Sequence, residues 1–324
     1  MRFSLRVNND LTVEEFCAVA ELAEQAGFDQ LWVSNDLFLH SAPVMLSAAA
    51  LRTERIMLGC GIFNPYTIHP AELAMLAATL QDLSGGRFLM GLAAGAKQFL
   101  EWAGIEQRRP VATTSAAVKS IRALLDGAPV GEAGWTEQAY LRITATGTPI
   151  YLGAMSPRML ELAGACADGA LPLLYPPEQF VTAREHIRTG LRAAGRAEAG
   201  FDLPACFWCS VHPDPDAART ALADKIAYYG AAFSPYLLER AGLRVADFND
   251  VQAALDAGNR ALASSLVDER MLRLGISGGV DAVLERCRWL VDQGAAHLSF
   301  GPPLGPVPPK AISLLGDEVL PALR

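Results

Sequence analysis

The chain has 324 residues, of which 51% are hydrophobic and 19% charged, a balance typical of a packed globular protein and not of a disordered chain. Its 27 basic and 35 acidic side chains give a net charge of −8, and the basic residues form no block, which argues against a nucleic-acid partner. No apolar run reaches ~18 residues, the length of a membrane helix, and polar residues 8–10 come too early for a signal peptide. We therefore expect a cytoplasmic protein without a membrane partner.

The six cysteines and five histidines predict neither a disulfide framework nor a metal site. Cysteines in a reducing compartment stay as thiols. Cys206 and Cys209 form a C-x-x-C pair, but they lie in an apolar run typical of a strand, where residues three apart point to opposite faces. We expect both to be core residues, and we expect no bound metal.

Short apolar runs alternate with helical patterns along most of the chain. The first helical pattern begins with the capping box Thr12-Val-Glu-Glu15. A Gly-rich, polar stretch at residues 128–148 predicts a hairpin or loop, and residues 230–276 carry helical pieces but no convincing strand. Eight apolar runs predict strands: Phe3–Val7, Gln30–Val33, Arg55–Cys60, Arg87–Leu92, Pro149–Leu152, Ala170–Leu174, Phe207–Val211 and Ala296–Phe300.

Eight strands separated by helices are the signature of an α/β fold of the (β/α)8 TIM-barrel type. We predict one barrel domain over residues 1–324, with a helical insertion at about 230–276. The alternative is an open, doubly wound sheet, but no G-x-G-x-x-G motif follows the first strand. In a barrel, active-site residues lie where the strands end, so the residues after each strand are the candidates for function.

The stretch from Ile150 to Pro157 contains the sharpest candidate site. A strand ends at Gly153, and Ser156 can cap a helix whose first residue is Pro157, so the free amides of this turn and the helix dipole favour an anion. Arg158 would add positive charge. The alternative is an ordinary cap on a strand–helix turn.

Two glycine-containing turns follow the third and fourth predicted strands, at residues 59–66 and 91–97. Glycines there let the backbone approach a flat ligand closely. The alternative for the first turn is a glycine bulge followed by a turn at Asn64-Pro65.

Arg6 shares the strand face that can line the barrel lumen, where a guanidinium needs a carboxylate from the protein or from a substrate. Asp36 and Glu72 are the candidate internal partners, so both a structural ion pair and a substrate clamp remain open. Asn35 and Asp36 can position a ligand or cap the following turn. The pattern thus predicts a barrel with a phosphate-bearing ligand, and it does not fix a reaction.

Several stretches of the chain resemble the bacterial-luciferase-like superfamily, and within it the coenzyme-F420-dependent methylenetetrahydromethanopterin reductases. The likeness covers nearly the whole chain outside residues 128–148. The stretches that carry it are Leu58–Tyr66, Thr79–Arg87, Tyr151–Pro157, Ala163–Gly169, Cys287–Gly294 and Leu314–Leu323.

The resemblance implies a barrel that binds the deazaflavin coenzyme F420 where the strands end, and that assembles as a homodimer or homotetramer. It also implies that a non-proline cis peptide buttresses the deazaflavin ring, and that the cofactor phosphate sits on the turn after the fifth strand. The matching positions are Gly61 and Ile62 for the cis bond, Asn35, Asn64, Ala93 and Gly95 for the ring pocket, and Gly153, Ala154, Met155 and Ser156 for the phosphate.

The chain departs from these reductases where their acid–base residues lie. Arg6 replaces a carboxylate, Asn35-Asp36 matches an Asp-His pair, and Ala96 replaces an acidic residue, while the adjacent Lys97 is retained. Hydride transfer survives such changes because the cofactor carries that chemistry.

These observations predict an F420-dependent oxidoreductase that transfers a hydride to a C=N or C=C bond of a small, anionic substrate. Arg6 would hold a substrate carboxylate or stabilise developing negative charge, and Asp36 would carry a proton. Three alternatives remain: a methylenetetrahydromethanopterin or methylenetetrahydrofolate reductase, an FMN-dependent luciferase-like monooxygenase, and a catalytically silent cofactor-binding barrel.

Overall fold

Parallel strands form the centre of the structure, a computed structural model that describes residues 1–144 and 147–324. Within these residues nine strands form one sheet in the order β6-β5-β4-β3-β2-β1-β9-β7-β8. The strands are β1 (Arg2–Val7), β2 (Gln30–Val33), β3 (Met57–Phe63), β4 (Phe88–Leu92), β5 (Ile150–Gly153), β6 (Gly169–Leu171), β7 (Ala205–Val211), β8 (Gly275–Gly278) and β9 (His297–Leu304).

The sheet curls until β6 meets the residue that leads into β7. The amide of Asp202 donates to the carbonyl of Asp168, and the amide of Ala170 donates to the carbonyl of Asp202, both at 3.0 Å. Asp202 thus bridges the edge of β6 to the chain just before β7, and this bridge, without a ladder between β6 and β7, completes the curled sheet of strands β1 to β7 and β9. This confirms the predicted barrel and excludes the open, doubly wound sheet.

Helices pack around this ring, and their ends follow the sequence signals. Thr12 and Glu15 form the predicted capping box, since the Thr12 side chain accepts from the Glu15 amide and Glu15 accepts from the Thr12 amide. The α-helices among the described residues are α1 (Val13–Gln25), α2 (Ala42–Ala50), α3 (Pro70–Leu83), α4 (Lys97–Trp102), α5 (Pro110–Leu125), α6 (Pro157–Cys166), α7 (Phe180–Ala193), α8 (Pro215–Tyr229), α9 (Pro235–Arg240), α10 (Asn249–Asp256), α11 (Arg260–Ser265), α12 (Glu269–Leu272), α13 (Val280–Asp292) and α14 (Pro308–Leu314).

All eight predicted strands are present. The structure has one more strand, β8, which the sequence did not predict. This strand lies at the end of the segment interpreted as strandless, and it pairs in parallel with the last four residues of β7. Its sequence, Gly-Ile-Ser-Gly, is too short and too rich in glycine to show a strand pattern. The barrel wall is therefore extended at β7 by a ninth strand.

Three apolar clusters are buried among the described residues. The largest lies between the sheet and the surrounding helices and contains Phe3, Phe16 and Phe300. A second, separate core belongs to the segment between β7 and β8, where Leu222 and Ile226 of α8 pack with Phe233 and Phe248. The smallest is formed by residues that all lie in strands: Trp32, Leu89, Tyr151, Leu171 and Cys206. Cys206 and Cys209 are buried in β7, as expected for core residues.

The remaining expectations concern the loop at residues 128–148, membrane helices and metal sites. Residues 128–144 and 147–148 form turns and irregular backbone, as the hairpin-or-loop prediction allowed, while residues 145–146 of that stretch lie outside the described residues. No described helix is long and apolar enough to cross a membrane. In the same part of the chain no group of three or more His, Cys, Asp or Glu side chains is placed to hold a metal ion.

Candidate active site

The carboxyl ends of the parallel strands meet at one end of the barrel, which we call the mouth. A pocket with about 310 Å³ of empty space, part of it open to solvent, lies there between the ends of β2, β3 and β4. It brings together five residues predicted for cofactor binding or catalysis: Asn35, Asp36, Ile62, Asn64 and Gly95. The pocket is also lined by Ala96, the position where the resemblance implies an acidic residue, and by four residues that the sequence did not single out: Leu37, Thr67, Phe99 and Leu100.

The wall of the pocket is fixed by Asn64. Its side-chain amide donates to the carbonyl of Ala94 at 3.0 Å, and its oxygen accepts from the amide of Tyr66 at 2.9 Å. Gly95 adopts a φ of +74°, and a Cβ at this position would collide with Nδ2 of Asn64. A glycine is therefore required here for both conformation and space.

The ends of β3, β4 and β5 touch below this wall. The peptide bond between Gly61 and Ile62 is cis, which confirms the position that the resemblance implies. A Cβ built on Gly153 would lie 3.0 Å from both the Cβ of Ala93 and the Cγ2 of Ile62. Gly153 therefore keeps the backbone of β5 close to the pocket residue Ile62.

The turn from β5 into α6 offers unpaired backbone donors. Ser156 is the N-cap, and its Oγ accepts from the amide of Met159 at 3.4 Å. The amide of Ala154 donates to the carbonyl of Leu171, so it is used by the sheet. The amides of Met155, Ser156 and Arg158 donate to no acceptor within the described residues.

These three free amides lie at the positive end of a ten-residue helix, which is an arrangement that binds phosphate. Met155 is 40% exposed, so the turn is open to a ligand. Gly153 connects this turn to the pocket through its contact with Ile62. A long ligand can therefore reach from the pocket to the start of α6.

Arg6 lies in the barrel wall and is only 6% exposed. Its Nε donates to Ser299 Oγ at 3.1 Å, and its Nη2 donates to the carbonyls of Phe207 at 2.7 Å and Ser299 at 3.3 Å. Burial lowers the pKa of this guanidinium, with the nearby Cys206 and Cys209 opposing the shift.

The predicted internal partners of Arg6 are wrong. Neither Asp36 nor Glu72 forms an ion pair with Arg6, and within the described residues no carboxylate lies within 4.0 Å of its guanidinium. Strand geometry explains this, because β9, which pairs with β1, and β7, the next strand beyond it, present hydroxyl and carbonyl oxygens to the guanidinium. The Nη1 atom donates to no acceptor among the described residues, and it is not one of the buried side-chain atoms left without a partner, so it is accessible to solvent or to a ligand.

Asn35 and Asp36 lie in the loop after β2, and the buried Asn9 holds this loop. Asn9 Nδ2 donates to the carbonyl of Asp36 at 3.0 Å, and the amide of Asp36 donates to Asn9 Oδ1 at 3.2 Å. Asn35 Oδ1 accepts from the amide of Ala42, so it also stabilises the start of α2. Burial raises the pKa of Asp36, while Ser34 and a lysine oppose the shift.

That lysine, Lys225 of α8, is a residue that the sequence analysis missed. Its Nζ lies 4.1 Å from the ring centroid of Tyr229 and 5.7 Å from that of Trp208. It interacts electrostatically with Asp10, Asp36 and Arg6, all of which lie at the mouth. The available signal was the spacing of Lys225 and Tyr229, which are one helical turn apart on the helix that follows a strand ending at the mouth.

The mouth thus combines a pocket, a helix start with three free amides and two cations that have no carboxylate partner among the described residues. Such a site can hold a planar cofactor with a phosphate tail beside a small anion.

Comparison with known proteins agrees with this geometry. A family model described as luciferase-like monooxygenase matches residues 2–297. The 5,10-methylenetetrahydromethanopterin reductase of Archaeoglobus fulgidus is 36% identical over 100% of both chains. An F420-dependent glucose-6-phosphate dehydrogenase of Nakamurella multipartita is 30% identical, covering 96% of this chain and 92% of the relative.

Among solved structures, the coenzyme F420 dependent tetrahydromethanopterin reductase of Methanopyrus kandleri superimposes with a TM-score of 0.93 at 30% identity. The match covers 100% of this chain and 99% of that structure. The relatives are thus F420-dependent oxidoreductases of full-length similarity.

Proposed function

The chain belongs to the luciferase-like monooxygenase family, and from that premise we propose that it is an F420-dependent oxidoreductase transferring a hydride to a C=N or C=C bond of a small, anionic substrate. The observation that carries the choice of substrate is the buried guanidinium of Arg6, which has no carboxylate partner among the described residues. An anionic substrate group would complete this site.

The residues at the mouth fit the cofactor. The side of the ring would pack against Ile62 and Asn64, with Gly95 leaving space for it. The amides of Met155 and Ser156, together with that of the neighbouring Arg158, would hold the phosphate of the tail. When bound in its reduced form, F420 supplies a hydride, while the protein binds and orients the reactants.

The substrate would lie over the pocket, with its anionic group on Arg6. Nη1 of Arg6 is the donor that remains for this group, because Nε and Nη2 are already bonded to Ser299 and Phe207. Asp36 lines the same pocket and has a raised pKa through burial, so it would act as a proton carrier between solvent and the site.

The proposal is tested by fluorescence titration with F420 and with FMN, followed by assays of reduced-F420 oxidation. We expect F420 to bind at least ~10-fold more tightly than FMN, which corresponds to about 1.4 kcal/mol. The acceptor panel should contain methylenetetrahydromethanopterin, methylenetetrahydrofolate and a set of cyclic-imine and α,β-unsaturated carboxylic acids. Tighter FMN binding with oxygen consumption would show a monooxygenase instead, and F420 binding without reduction of any acceptor would show a silent barrel.

Arg6→Met separates the anion-binding role from cofactor binding. Loss of a hydrogen bond between charged groups costs about 1.5–3 kcal/mol, so we expect KM for a carboxylate acceptor to rise roughly 10–100-fold. The affinity for F420 should stay within about twofold of the wild type. An unchanged KM for every acid in the panel would contradict the anionic-substrate proposal.

A second candidate, methylenetetrahydromethanopterin reductase, is favoured by the 36% identity over the whole of both chains. The pterin in the panel tests it directly. Turnover with this pterin and not with the acids would select that activity.

We also propose that the working protein is a cytoplasmic homodimer or homotetramer, built from one barrel domain with the insertion at about 230–276. Apolar side chains exposed on adjacent helices support an interface: Val44 and Leu51 at α2 and Met75 of α3. Light scattering coupled to size-exclusion chromatography tests the assembly, and a mass near 34.6 kDa, that of one chain, would contradict it.

A further inference from the structure

Lys225 is held at the mouth by aromatic rings. Helix α8 follows directly on β7, and Lys225 and Tyr229 are one turn apart on the same side of this helix. The Nζ atom lies over the Tyr229 ring at 4.1 Å from its centroid, and Trp208 of β7 lies at 5.7 Å. Such contacts fix the direction of an ammonium group without neutralising it.

The ammonium of Lys225 has no bonded partner in the described structure. No oxygen accepts a hydrogen bond from its Nζ, and no carboxylate lies within 4.0 Å of it. Two surface lysines differ, since Lys97 pairs with Glu101 at 3.1 Å and Lys119 pairs with Glu132 at 3.6 Å. Lys225 is therefore a half-buried donor whose hydrogen-bonding capacity is unused.

The charges around Lys225 come from several elements. Arg6 of β1 repels it, while Asp10 after β1 and Asp36 after β2 attract it. Tyr229, and Tyr228 beside it, belong to the same helix. The remaining charged side chains near this part of α8 pair elsewhere, Asp224 with Ser264 and Arg219 with Glu269.

We propose that Lys225 is the general acid of the reaction, donating a proton from its ammonium to the substrate atom that becomes negative when the hydride reaches the neighbouring carbon. The inference rests on the proposed function, because it assumes a C=N or C=C acceptor held on Arg6.

The step balances in atoms and electrons. The hydride brings two electrons and forms the new C–H bond, while the π bond breaks toward the nitrogen or second carbon. That atom takes a proton from Lys225, which is left as a neutral amine. The amine regains a proton from solvent through Asp36, and the overall balance closes because reduced F420 loses one hydride and one proton on oxidation.

The protonation chemistry of the two cations favours Lys225 over Arg6 as the donor. Burial lowers the pKa of Lys225 to about 8, with Arg6 acting in the same direction and Asp10 and Asp36 opposing it. A general acid works best when its pKa is near the operating pH. A guanidinium such as Arg6 stays protonated and can only stabilise charge.

The kinetic test compares Lys225→Met and Lys225→Arg with Lys310→Met, a change of an exposed lysine on α14. The acceptors are methylenetetrahydromethanopterin and the carboxylic acids of the panel. We expect Lys225→Met to lower kcat roughly 10²–10⁴-fold, as for loss of a general acid. Lys225→Arg should keep KM within about threefold, because the charge remains, but should not restore kcat.

The pH profile provides a second readout. The acid must be protonated, so kcat/KM of the wild type should fall as the pH rises through about 8, and this decrease should be absent in Lys225→Met. Lys310→Met should retain both the rate and the profile of the wild type.

The third readout does not depend on activity. The chain has four lysines, so the NMR spectrum of protein labelled at the lysine side chains should contain four resolvable signals. The signal missing from Lys225→Arg identifies Lys225, and its titration should have a midpoint at about 8 in the cofactor-free protein.

The outcomes distinguish this inference from the proposed function. A kcat restored by arginine would overturn the inference and assign Lys225 to anion binding, and a titration near ~10.4, the ordinary lysine value, would also overturn it. If the wild type reduces an acceptor and the Lys225 variants reduce it equally well, the inference about Lys225 is wrong and the proposed function stands. A wild type that binds no F420 removes the proposed function and the inference with it.

Discussion

The two ends of the barrel treat buried charge in opposite ways. At the end where the strands begin, Asp202 accepts hydrogen bonds from Tyr151 at 2.8 Å and from Arg2 at 2.9 Å, and lies 3.0 Å from Nδ1 of His297. At the mouth, Arg6 and Lys225 have no carboxylate within 4.0 Å among the described residues. The carboxylate at the end where the strands begin is paired with protein groups, whereas the two cations at the mouth remain available to a ligand.

The pKa values of the buried carboxylates depend on their hydrogen-bonding and charged partners and not on burial alone. Burial acts to raise the pKa of Asp202, but His297, Arg2 and Tyr151 together lower it to about 2. Asp36 is also buried, and because its stabilising partners are weaker its pKa is raised. In a barrel, the end where strands begin is the stabilising end and the mouth carries function, so the difference has a simple physical origin.

The largest effect is expected from Asp202→Ala. Removing the carboxylate leaves the guanidinium of Arg2, the ring of His297 and the hydroxyl of Tyr151 without their shared acceptor. We expect a loss of about 3–5 kcal/mol in the free energy of unfolding, measured by denaturant titration. F420 binding by the folded protein should remain.

Glu14→Gln provides the matched control for this change. Glu14 also bonds an arginine, Arg52, at 2.8 Å, but it is 79% exposed. An exposed ion pair contributes below about 1 kcal/mol, so a loss comparable to that of Asp202→Ala would contradict the comparison.

The second expected effect is that the free energy of unfolding depends on pH in the acid range. Because the folded pKa of Asp202 lies below the unfolded value of 3.8, its contribution is present above pH ~4 and is lost as the pH falls through about 2. The shift corresponds to about 2 kcal/mol. The unfolding free energies of the wild type and Asp202→Asn should therefore converge between pH 4 and pH 2, and a constant difference would contradict the assignment.

The third effect concerns the helix start at the mouth. Ser156→Ala removes the N-cap of α6, which should cost about 1 kcal/mol of stability and weaken F420 binding roughly 3–10-fold through the loosened amides. Ser234→Ala removes the equivalent cap of α9, where Ser234 Oγ accepts from Leu237. It should lower stability similarly and leave F420 affinity unchanged; equal losses of affinity would show that the α6 turn does not hold the cofactor.

The smallest effect should have the opposite sign. Arg6→Met replaces a buried cation that lacks a carboxylate with an apolar side chain of similar length, so we expect stability to be unchanged or to rise by up to about 1 kcal/mol. Thermal and denaturant unfolding measure this. A loss of several kcal/mol would mean that Arg6 is satisfied by its protein contacts alone.

The fold followed from local signals. The eight strands and the capping box at Thr12 were read from the spacing of apolar and polar residues, because each element is short, regular and bounded by turn residues. The pocket was harder, and its residues came mainly from resemblance. The cis bond at Gly61–Ile62 is an example, since no composition rule marks a cis bond between non-proline residues.

The electrostatics of the mouth could not be read from sequence. The predicted partners of Arg6 within the protein are carboxylates, but its observed partners are two backbone carbonyls, which carry no sequence signal, and the hydroxyl of Ser299, which is distant in the chain. Lys225 lies on a helix whose charged residues resemble a solvated face, and only the fold reveals its burial beside Tyr229. Contacts between residues distant in the chain decide such cases.

The separate apolar core between β7 and β8 has a consequence for diversification. Leu222 and Phe248 belong to a cluster distinct from the main core, so substitutions at positions of this cluster outside the strands can accumulate with little effect on the barrel, whereas Trp208 of the same cluster lies in β7 itself. The same stretch carries Lys225. A lineage could therefore change the acceptor by altering this one stretch of chain, while the proposed coenzyme site at the ends of β3, β4 and β5 stays unchanged.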